Sequence, residues 1–322
     1  FREFNPLMIR SHLKAALIQA SFSDDRDENW HKLKPLLEQA AARGNQLVVL
    51  PELHNGAYFC QHEDNREFTR AEAIPGPTTE FLSTLAARLR LVIIGSVFER
   101  RAAGLYHNTA IVLDSNGNLA GSYRKMHIPD DPGYYEKYYF TPGDTGFQPV
   151  QTSLGKIGVL VCWDQWFPEA ARLMALAGAE CLVYPTAIGW DPADDENEQQ
   201  RQLDSWVITQ RAHAISNGLP LLAANRHGHE SGPSSNTNGI DFWGNSFICG
   251  PQGEILSQAG VNEDCLLETE INIDQCEKVR QTWPFLRDRR IDAYSGLTQR
   301  FLEDIAAGIT NGEKTTNGEK ND

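Results

Sequence analysis

The stretch IGVLVCWDQWFPEAAR (157–172) decides the fold, because two kinds of hydrophobic pattern meet in it at one cysteine. Its first five residues form an apolar run typical of a buried strand, and residues from about 166 to 177 have a helical pattern. A strand that leads into a helix is the unit of layered α/β proteins, whose sites collect at the carboxyl ends of strands. The stretch therefore predicts an α/β protein with Cys162 at such an end.

The same alternation continues on both sides of this stretch. Strands are predicted at 14–20, 46–50, 91–99, 108–114, 119–125, 157–161, 181–185, 219–225 and 265–271, with two more around the PQGE turn at 251–254. Helices are predicted at 25–43, 78–89, 166–177 and 197–216. The order β-α-β-α-β-β occurs twice, and this favours two sheets with helices on their outer faces.

The domain organisation follows from what separates these elements. No linker-like segment interrupts them, so residues 12–308 are predicted to form one domain. Residues 1–11 are interpreted as an N-terminal leader. Residues 309–322 are polar and repeat NGEK, a composition that predicts disorder.

Composition excludes two classes of partner. The 322 residues are 41% hydrophobic and 22% charged, which is ordinary for a globular protein with a sizeable core. The formal net charge of -14 argues against a nucleic-acid-binding surface, which should be basic. No apolar run approaches the roughly 18 residues that span a bilayer. We therefore predict that neither nucleic acid nor a membrane is a partner.

Cysteine usage points to a reducing compartment. None of the six cysteines forms a C-x-x-C pair, and most lie in apolar, strand-like segments: Cys60, Cys162, Cys181, Cys249, Cys265 and Cys276. This favours free thiols and a cytoplasmic location over a disulfide framework. Zinc-ligand spacing is absent, and RHGHE (226–230), with His227 and His229, is interpreted as a surface loop. No metal site is predicted.

Three candidate catalytic residues each follow an apolar run. Cys162 is the candidate nucleophile, placed where a helix amino terminus would favour the thiolate. Glu52, after LVVLP, is the candidate general base, and Lys125 could place positive charge beside a carbonyl oxygen. Taken singly, they could equally be a structural thiol, a helix cap and a solvated strand end. Taken together, they suit covalent catalysis on an amide-like carbonyl.

These residues lie in strings that resemble a known family. LVVLPEL, YRKMHIP and VCWDQWFPEAAR are similar to the three motifs of the nitrilase superfamily, the carbon-nitrogen hydrolases. The resemblance covers about residues 12–300. It implies a four-layer αββα sandwich, a catalytic triad of Glu52, Lys125 and Cys162, a homo-oligomer of at least two chains, and no metal or organic cofactor.

Longer strings refine the resemblance. HIPDDPGYYEKYYFTPGDTGF, CWDQWFPEAARLM and YPTAIG resemble the N-carbamoylputrescine amidases of polyamine synthesis. This implies hydrolysis of N-carbamoylputrescine to putrescine, carbon dioxide and ammonia. It also implies that Glu136 holds the triad or the substrate's amide nitrogen, and that the Trp163 amide helps to bind the oxyanion. Asn108 is expected beside the site, more as a support for Glu52 or Lys125 than as a substrate contact.

The residues after the cysteine bear on specificity. Related enzymes that act on N-carbamoyl-D-amino acids have an arginine pair where this chain has Gln165 and Trp166. A neutral and an aromatic side chain cannot neutralise a carboxylate, whereas the Trp166 indole could line an alkyl channel. Asp191, after the strand ending in YPTAIG, is the candidate partner for a substrate ammonium. A β-ureidopropionase, an ω-amidase and a non-catalytic ligand-binding relative are the alternatives.

The helix after Cys162 also suggests how chains could associate. It carries more large apolar residues than one buried face requires: Trp166, Phe167, Leu173 and Met174. We expect this helix to pack on its copy across a two-fold axis. Alternatively, the two aromatic residues line the pocket.

Overall fold

The fold is built around two six-stranded sheets, seen in a computed structural model that describes residues 11–232 and 238–302. The strands are β1 (His12–Gln19), β2 (Leu47–Val49), β3 (Val92–Ala102), β4 (Leu105–Leu113), β5 (Leu119–Arg124), β6 (Val150–Thr152), β7 (Gly155–Val159), β8 (Cys181–Thr186), β9 (Gly189–Trp190), β10 (Leu221–Asn225), β11 (His227–Glu230), β12 (Ile240–Trp243), β13 (Phe247–Cys249), β14 (Ile255–Gln258) and β15 (Cys265–Asn272). The helices are α1 (Arg26–Ala42), α2 (Pro77–Leu89), α3 (Glu136–Tyr139), α4 (Pro168–Leu176), α5 (Glu196–Asn217) and α6 (Asp274–Thr282).

The two sheets have corresponding strand orders. The first is β15-β1-β2-β3-β4-β5, and the second is β14-β13-β10-β8-β7-β6. The central strands β1, β2 and β3 are parallel, as are β7, β8 and β10. Strand β5 is separated from β3 by two antiparallel steps, so it runs in the same direction as β3. The carboxyl ends of β2, β3 and β5 therefore lie at one edge of the first sheet.

The sheets pack face to face, with helices on their outer faces. One apolar core joins inward-facing residues of both sheets, such as Leu17 and Val49 of the first and Val183 and Leu222 of the second. Helices α1 and α2 pack on the outer face of the first sheet, and α4 and α5 pack beside the second. This is the predicted αββα sandwich, and the prediction is confirmed.

The start of helix α1 is set by a local capping signal in the sequence. Helix α1 begins after Asp25, whose carboxylate accepts hydrogen bonds from the amides of Asp27 (2.8 Å) and Glu28 (3.1 Å). Such an N-cap satisfies amides that have no partner within the helix. The carboxylate of Glu28 accepts from the Ser23 hydroxyl (2.9 Å), so it lies within the capping turn.

A small third sheet differs from the prediction. Strands β11, β12 and β9 pair in that order, and RHGHE contributes β11. The interpretation of this motif as a surface loop was therefore wrong. The motif is polar and contains a glycine, so no apolar alternation marks it as a strand in the sequence. It forms a strand because it pairs with β12, which lies elsewhere in the chain.

The chain divides into two compact units, Phe1–Trp283 and Pro284–Asp322. In its described part, the second unit contains the short 3₁₀ turns Ile291–Ala293 and Ser295–Thr298. It begins inside the domain predicted for residues 12–308. The predicted tail lies outside the described residues, as does the predicted leader except for its last residue. None of the described helices is long and apolar enough to cross a membrane.

Candidate active site

Three strand ends bring the predicted catalytic residues to one place. Glu52 follows β2 and Lys125 follows β5, both in the first sheet, whereas Cys162 follows β7 in the second. The amide of Glu52 donates to the carbonyl of Thr186, the last residue of β8, at 3.3 Å. This hydrogen bond joins the two sheets at the site. The residues that share the edge are far apart in sequence and adjacent in space.

A buried ammonium lies between two carboxylates. Lys125 Nζ donates to Glu52 Oε1 at 2.9 Å and to Glu136 Oε2 at 2.7 Å. Lys125 and Glu52 are completely buried, and Glu136 is 1% exposed. Two carboxylates and one ammonium leave one negative charge in a site shielded from solvent, an arrangement that shifts proton affinities strongly.

The pKa values of Lys125 and Glu136 are both raised above their ordinary values. Burial alone would lower the pKa of Lys125, but the carboxylates of Glu136 and Glu52 raise it well above its ordinary value. Burial raises the pKa of Glu136 to about 7, with the Lys125 charge opposing and the Glu52 charge adding to the rise. Lys125 therefore stays cationic at neutral pH, and Glu136 gains or loses a proton within the physiological range.

We expect the stability of a Glu136→Gln variant, relative to wild type, to increase with pH. The folded-state pKa of about 7 lies above the ordinary 4.5. The proton on Glu136 therefore stabilises the fold fully below pH 4.5, and this contribution is lost as the pH rises through 7. The shift corresponds to about 3 kcal/mol. Urea unfolding of both proteins at pH 5 and pH 8 measures it, with Glu196→Gln as a control. A stability difference that does not change with pH would contradict the assignment.

Cys162 occupies a sharp turn between strand and helix. It has a left-handed backbone conformation (φ 43°) and begins the 3₁₀ helix Cys162–Trp166, which leads into α4. Non-glycine residues rarely adopt this conformation, and where they do a functional role is a reasonable hypothesis. Its Sγ lies 3.6 Å from the carbonyl oxygen of Ala187.

The resting state of Cys162 differs from the prediction. Burial and then the Glu52 carboxylate raise the pKa of its thiol well above the ordinary value. Burial and the Glu52 carboxylate thus act against the thiolate that the helix amino terminus was expected to favour. The thiol must lose its proton to a nearby base as it reacts.

A buried carboxylate braces the cysteine turn. Asp164 Oδ2 accepts from the amide of Val161 (2.9 Å) and from the Tyr123 hydroxyl (2.9 Å). Its other oxygen, Oδ1, accepts from the amide of His127 (3.1 Å) and lies 2.7 Å from Nδ1 of that ring. Asp164 thus connects the segment after Lys125 with the turn before Cys162.

Asn108 makes hydrogen bonds to both Glu52 and Lys125. Its Nδ2 donates to Glu52 Oε1 at 2.6 Å, and its carbonyl accepts from the amide of Lys125 at 2.9 Å. Asn108 is fully buried and does not border the cavity beside Cys162. These contacts fit the expectation that Asn108 supports Glu52 or Lys125 more than it contacts the substrate.

A cavity of about 600 Å³ opens beside Cys162. Its wall combines aromatic and apolar residues with several charges: Pro129, Asp131, Pro132, Tyr134, Glu136, Cys162, Trp163, Trp166, Ala187, Ile188, Gly189, Asp191, Asp194, Glu198, Arg201, Gln202, Ser205 and Trp243. A concave site with a largely apolar wall and a few polar groups is typical of a small-molecule pocket. Another cavity, of about 430 Å³, includes Arg70 and Glu72 but no cysteine.

The predicted specificity residues take different positions. Trp163, Trp166 and Asp191 border the cavity, whereas Gln165 is fully buried. Asp191 Oδ1 already accepts from the amide of Ala193 at 2.9 Å, and Asp191 is exposed to solvent. Its carboxylate is thus one of several on the cavity wall, and it is open to solvent.

Sequence reasoning missed several residues that shape this site. The Tyr58 hydroxyl donates to Glu136 Oε1 at 2.7 Å, and the Tyr134 hydroxyl accepts from the amide of Gly189 at 3.0 Å. Arg201 also borders the cavity and pairs with Glu198 on the same helix. No motif marked these residues, although the aromatic run around Glu136 was a usable signal for Tyr134.

One cluster in the described part of the chain has metal-ligand chemistry. It consists of His62, Asp64 and Glu67. Asp64 lies 2.6 Å from the Arg66 guanidinium, and Glu67 pairs with Arg70. Because arginines already neutralise these carboxylates, the cluster is explained as a network of surface ion pairs.

Comparisons with known proteins identify relatives along nearly the whole fold. The family model described as carbon-nitrogen hydrolase matches residues 14–281. An N-carbamoylputrescine amidase of Solanum lycopersicum is 44% identical over 284 residues, covering 88% of this chain and 93% of the relative. A citrullinase of Francisella tularensis is 38% identical, covering 90% and 100%. A solved carbon-nitrogen hydrolase from Helicobacter pylori G27 is 49% identical with a TM-score of 0.88, covering 90% and 100%.

Proposed function

The chain belongs to the carbon-nitrogen hydrolase family, and on that premise we propose that it hydrolyses N-carbamoylputrescine to putrescine, carbon dioxide and ammonia. The observation that carries the proposal is Lys125 held between Glu52 and Glu136, with Cys162 close enough to interact electrostatically with all three. The 44% identity to a relative with this activity supports the choice of substrate.

The first half of the reaction forms a covalent intermediate. Glu52 accepts the thiol proton of Cys162 as the sulfur attacks the ureido carbon of the substrate. Charge moves onto the carbonyl oxygen, which Lys125 and the backbone amide of Trp163 stabilise. The protonated Glu52 then gives its proton to the departing amide nitrogen, which leaves as ammonia. The acyl group remains on sulfur as a thiocarbamate.

The second half releases the products. Glu52, again a carboxylate, takes a proton from a water molecule that attacks the thiocarbamate carbon. The carbon–sulfur bond breaks, the proton returns to the sulfur of Cys162, and a carbamic acid leaves. That acid decomposes to carbon dioxide and putrescine. Every proton taken by Glu52 is returned within the cycle.

Glu136 supports this cycle in two ways. It holds the ammonium of Lys125 at 2.7 Å, and it borders the cavity, where its carboxyl can accept a hydrogen bond from the substrate's amide nitrogen. The Tyr58 hydroxyl keeps its other oxygen oriented. A carboxyl group with a pKa near 7 can take this part in either protonation state.

The acidic part of the cavity wall favours a cationic substrate. Asp131, Asp191 and Asp194 border it, and together they can offset the ammonium of N-carbamoylputrescine. The indoles of Trp163 and Trp166 supply apolar surface for the alkyl chain. We propose that Asp191 is the main partner of the ammonium.

An Asp191→Asn variant is expected to raise KM for N-carbamoylputrescine roughly ten- to a hundredfold, because one partly desolvated charge pair is lost. Hydrolysis of an uncharged N-carbamoyl-alkylamine should stay nearly unchanged. Steady-state kinetics on both substrates measure the effect, and Glu196→Gln, an exposed acid outside the cavity wall, is the matched control. Equal losses on both substrates would indicate a structural role for Asp191.

A ureido compound that carries a carboxylate is the second candidate substrate. Arg201 borders the cavity, and the citrullinase relative is named for such a compound. A guanidinium could bind a carboxylate, although Arg201 already pairs with Glu198. Release of ammonia from N-carbamoylputrescine, citrulline, N-carbamoyl-β-alanine, an N-carbamoyl-D-amino acid and a simple amide decides between them. Preference for a carboxylate-bearing compound would overturn the first proposal.

The residues expected to join two copies of the chain differ from those that the sequence suggested. Met174 is buried in the core and Phe167 stacks on His127 at 3.8 Å, so neither offers a free apolar surface. Leu173 of α4 is 44% exposed, and Ile208 of the adjoining α5 is 60% exposed. We propose that these two helices form the surface on which a second copy packs.

Light scattering is expected to give a mass of at least two chains at micromolar concentration, because exposed apolar side chains on adjoining helices favour self-association. A Leu173→Glu variant should lower that mass. Ile255→Glu, at a comparably exposed apolar residue on β14, is the control that should leave it unchanged. A single-chain mass for the wild-type protein would refute the proposal.

A reducing, cytoplasmic location is part of the same proposal. All six cysteines are free in the structure, and five of them are buried. Free thiols of this kind are typical of a reducing compartment.

A further inference from the structure

The RHGHE motif is not explained by the proposed chemistry, yet its first and last residues form a buried ion pair. Arg226 Nη1 lies 2.7 Å from Glu230 Oε1, with the Arg226 side chain fully buried and that of Glu230 8% exposed. We infer that Arg226 is a positioning residue that holds Glu52 in its reactive orientation. The inference rests on the proposed function in taking Glu52 as the general base.

The guanidinium binds the backbone of the base itself. Arg226 Nη2 donates to the carbonyl of Glu52 at 2.7 Å and to that of Leu53 at 3.0 Å. Successive carbonyls of an extended chain point in opposite directions, so two that converge on one nitrogen need a sharp kink. Leu53 supplies the kink with a left-handed conformation (φ 49°) that a leucine rarely adopts. The guanidinium therefore stabilises the strained segment that sets the direction of Glu52.

The same ion pair reaches the second carboxylate of the site. Glu230 Oε2 accepts from the backbone amide of Tyr58, whose hydroxyl donates to Glu136 Oε1 at 2.7 Å. Arg226 Nη1 also donates to the carbonyl of Gly56 at 3.3 Å. The segment from Glu52 to Tyr58 is thus held at both ends by one arginine and its partner.

The position of Arg226 in the fold explains why the ion pair contacts the segment from Glu52 to Tyr58. It follows the carboxyl end of β10, parallel to β8, so it lies at the edge of the second sheet that also presents the residues after β8. Glu230 ends β11, which pairs with β12, and β12 pairs with β9. Trp243 of β12 and Gly189 of β9 border the substrate cavity. One small sheet therefore carries both the support of the base and part of the substrate wall.

The surroundings of Arg226 select arginine over lysine. Its guanidinium lies over the rings of Phe22 (5.1 Å), Phe242 (5.2 Å) and Tyr58 (5.9 Å). A planar guanidinium can stack between rings and donate from its edge to several acceptors, whereas a lysine ammonium is a compact point charge. An Arg226→Lys variant keeps the charge next to Glu230 but cannot serve all the carbonyls together.

The test is a double-mutant cycle on the rate. Arg226→Lys should lower kcat for N-carbamoylputrescine roughly 10- to 100-fold while KM changes less than about threefold, because the misplaced group acts in the chemical step. In a Glu52→Gln background the same change should lower kcat less than about threefold, since Arg226 acts through Glu52. The rate at which iodoacetamide labels Cys162 provides a second readout that needs no turnover and should follow the same pattern.

A matched arginine separates positioning from general stability. Arg280 is half-buried and donates to the carbonyl of Asn217 at 3.0 Å, away from the site. Arg280→Lys should lower thermal stability without changing kcat. If Arg226→Lys does not fold, Glu230→Gln replaces it, because this change removes only the negative charge of the ion pair. We expect Glu230→Gln also to lower kcat in the wild-type background and to have little effect in the Glu52→Gln background.

Two results would overturn the inference. One is an equal loss of rate from Arg226→Lys or Glu230→Gln with and without Glu52. The other is a loss of stability with kcat unchanged. A wild-type protein that is labelled at Cys162 but does not hydrolyse N-carbamoylputrescine would refute the proposed substrate, and the labelling cycle would still decide the role of Arg226.

Discussion

Replacement of Cys162 by alanine is expected to abolish turnover while the fold persists. Without the sulfur no covalent intermediate can form, and loss of a nucleophile lowers activity by a factor of about a thousand or more. The side chain is 5% exposed and contacts the core, so a smaller residue leaves a small void rather than an unpaired charge. Ammonia release and the site of iodoacetamide labelling, read by mass spectrometry, measure the two consequences.

Another cysteine serves as the control for this result. Cys265 is a half-buried free thiol on β15, outside the cavity wall. Cys265→Ala should keep full activity and labelling at Cys162. If Cys162→Ala retained more than about a thousandth of the wild-type activity, covalent catalysis by this residue would be wrong.

Glu52→Gln and Lys125→Ala are each expected to lower kcat/KM by about a thousandfold or more. The glutamine cannot accept the thiol proton, and the alanine cannot stabilise the oxyanion. Lys125 also separates two buried carboxylates, so its loss leaves them facing each other and should lower stability. Circular dichroism and thermal unfolding, recorded beside the kinetics, distinguish loss of chemistry from loss of fold.

The combined variants test whether these groups act as one unit. Adding Cys162→Ser to Glu52→Gln or Lys125→Ala should change the residual rate little. The three residues act in the same chemical step, so once one of them is lost the others no longer accelerate it. Lys34 and Glu38 form an exposed ion pair at 3.1 Å and provide the control, since Lys34→Ala should leave kcat unchanged. Losses that multiply in the combined variants would mean that the three residues do not share a site.

Several elements of the fold could be predicted because their signals are local. The cap at Asp25, the apolar run of β2 and the strand-to-helix transition at Cys162 each depend on neighbours within a few residues. Because sites gather at the carboxyl ends of strands, the sequence also predicted that Glu52, Lys125 and Cys162 share one site. The same rule applies to Arg226 after β10, but its polar surroundings resembled a loop.

Proton affinities could not be predicted in the same way. The helix-terminus argument favoured a thiolate at Cys162, yet burial raises the pKa of that thiol. Burial also raises the pKa of Glu136 to about 7, although its contacts with Lys125 and Tyr58 act in the opposite direction. Desolvation depends on everything packed around a group, and that is a property of the assembled core.

The sequence by itself determined the layered α/β architecture, the family and the three residues at the strand ends, because periodicity and contiguous motifs record them directly. The tertiary structure alone decided which atoms meet: Lys125 Nζ lies between Glu52 and Glu136, Asn108 Nδ2 donates to Glu52, and Arg226 holds the segment after β2. These contacts join residues that are between 11 and 174 positions apart. Side chains so separated meet only when the strands pair and the sheets pack, so no local pattern in the chain can encode their distances or their charges.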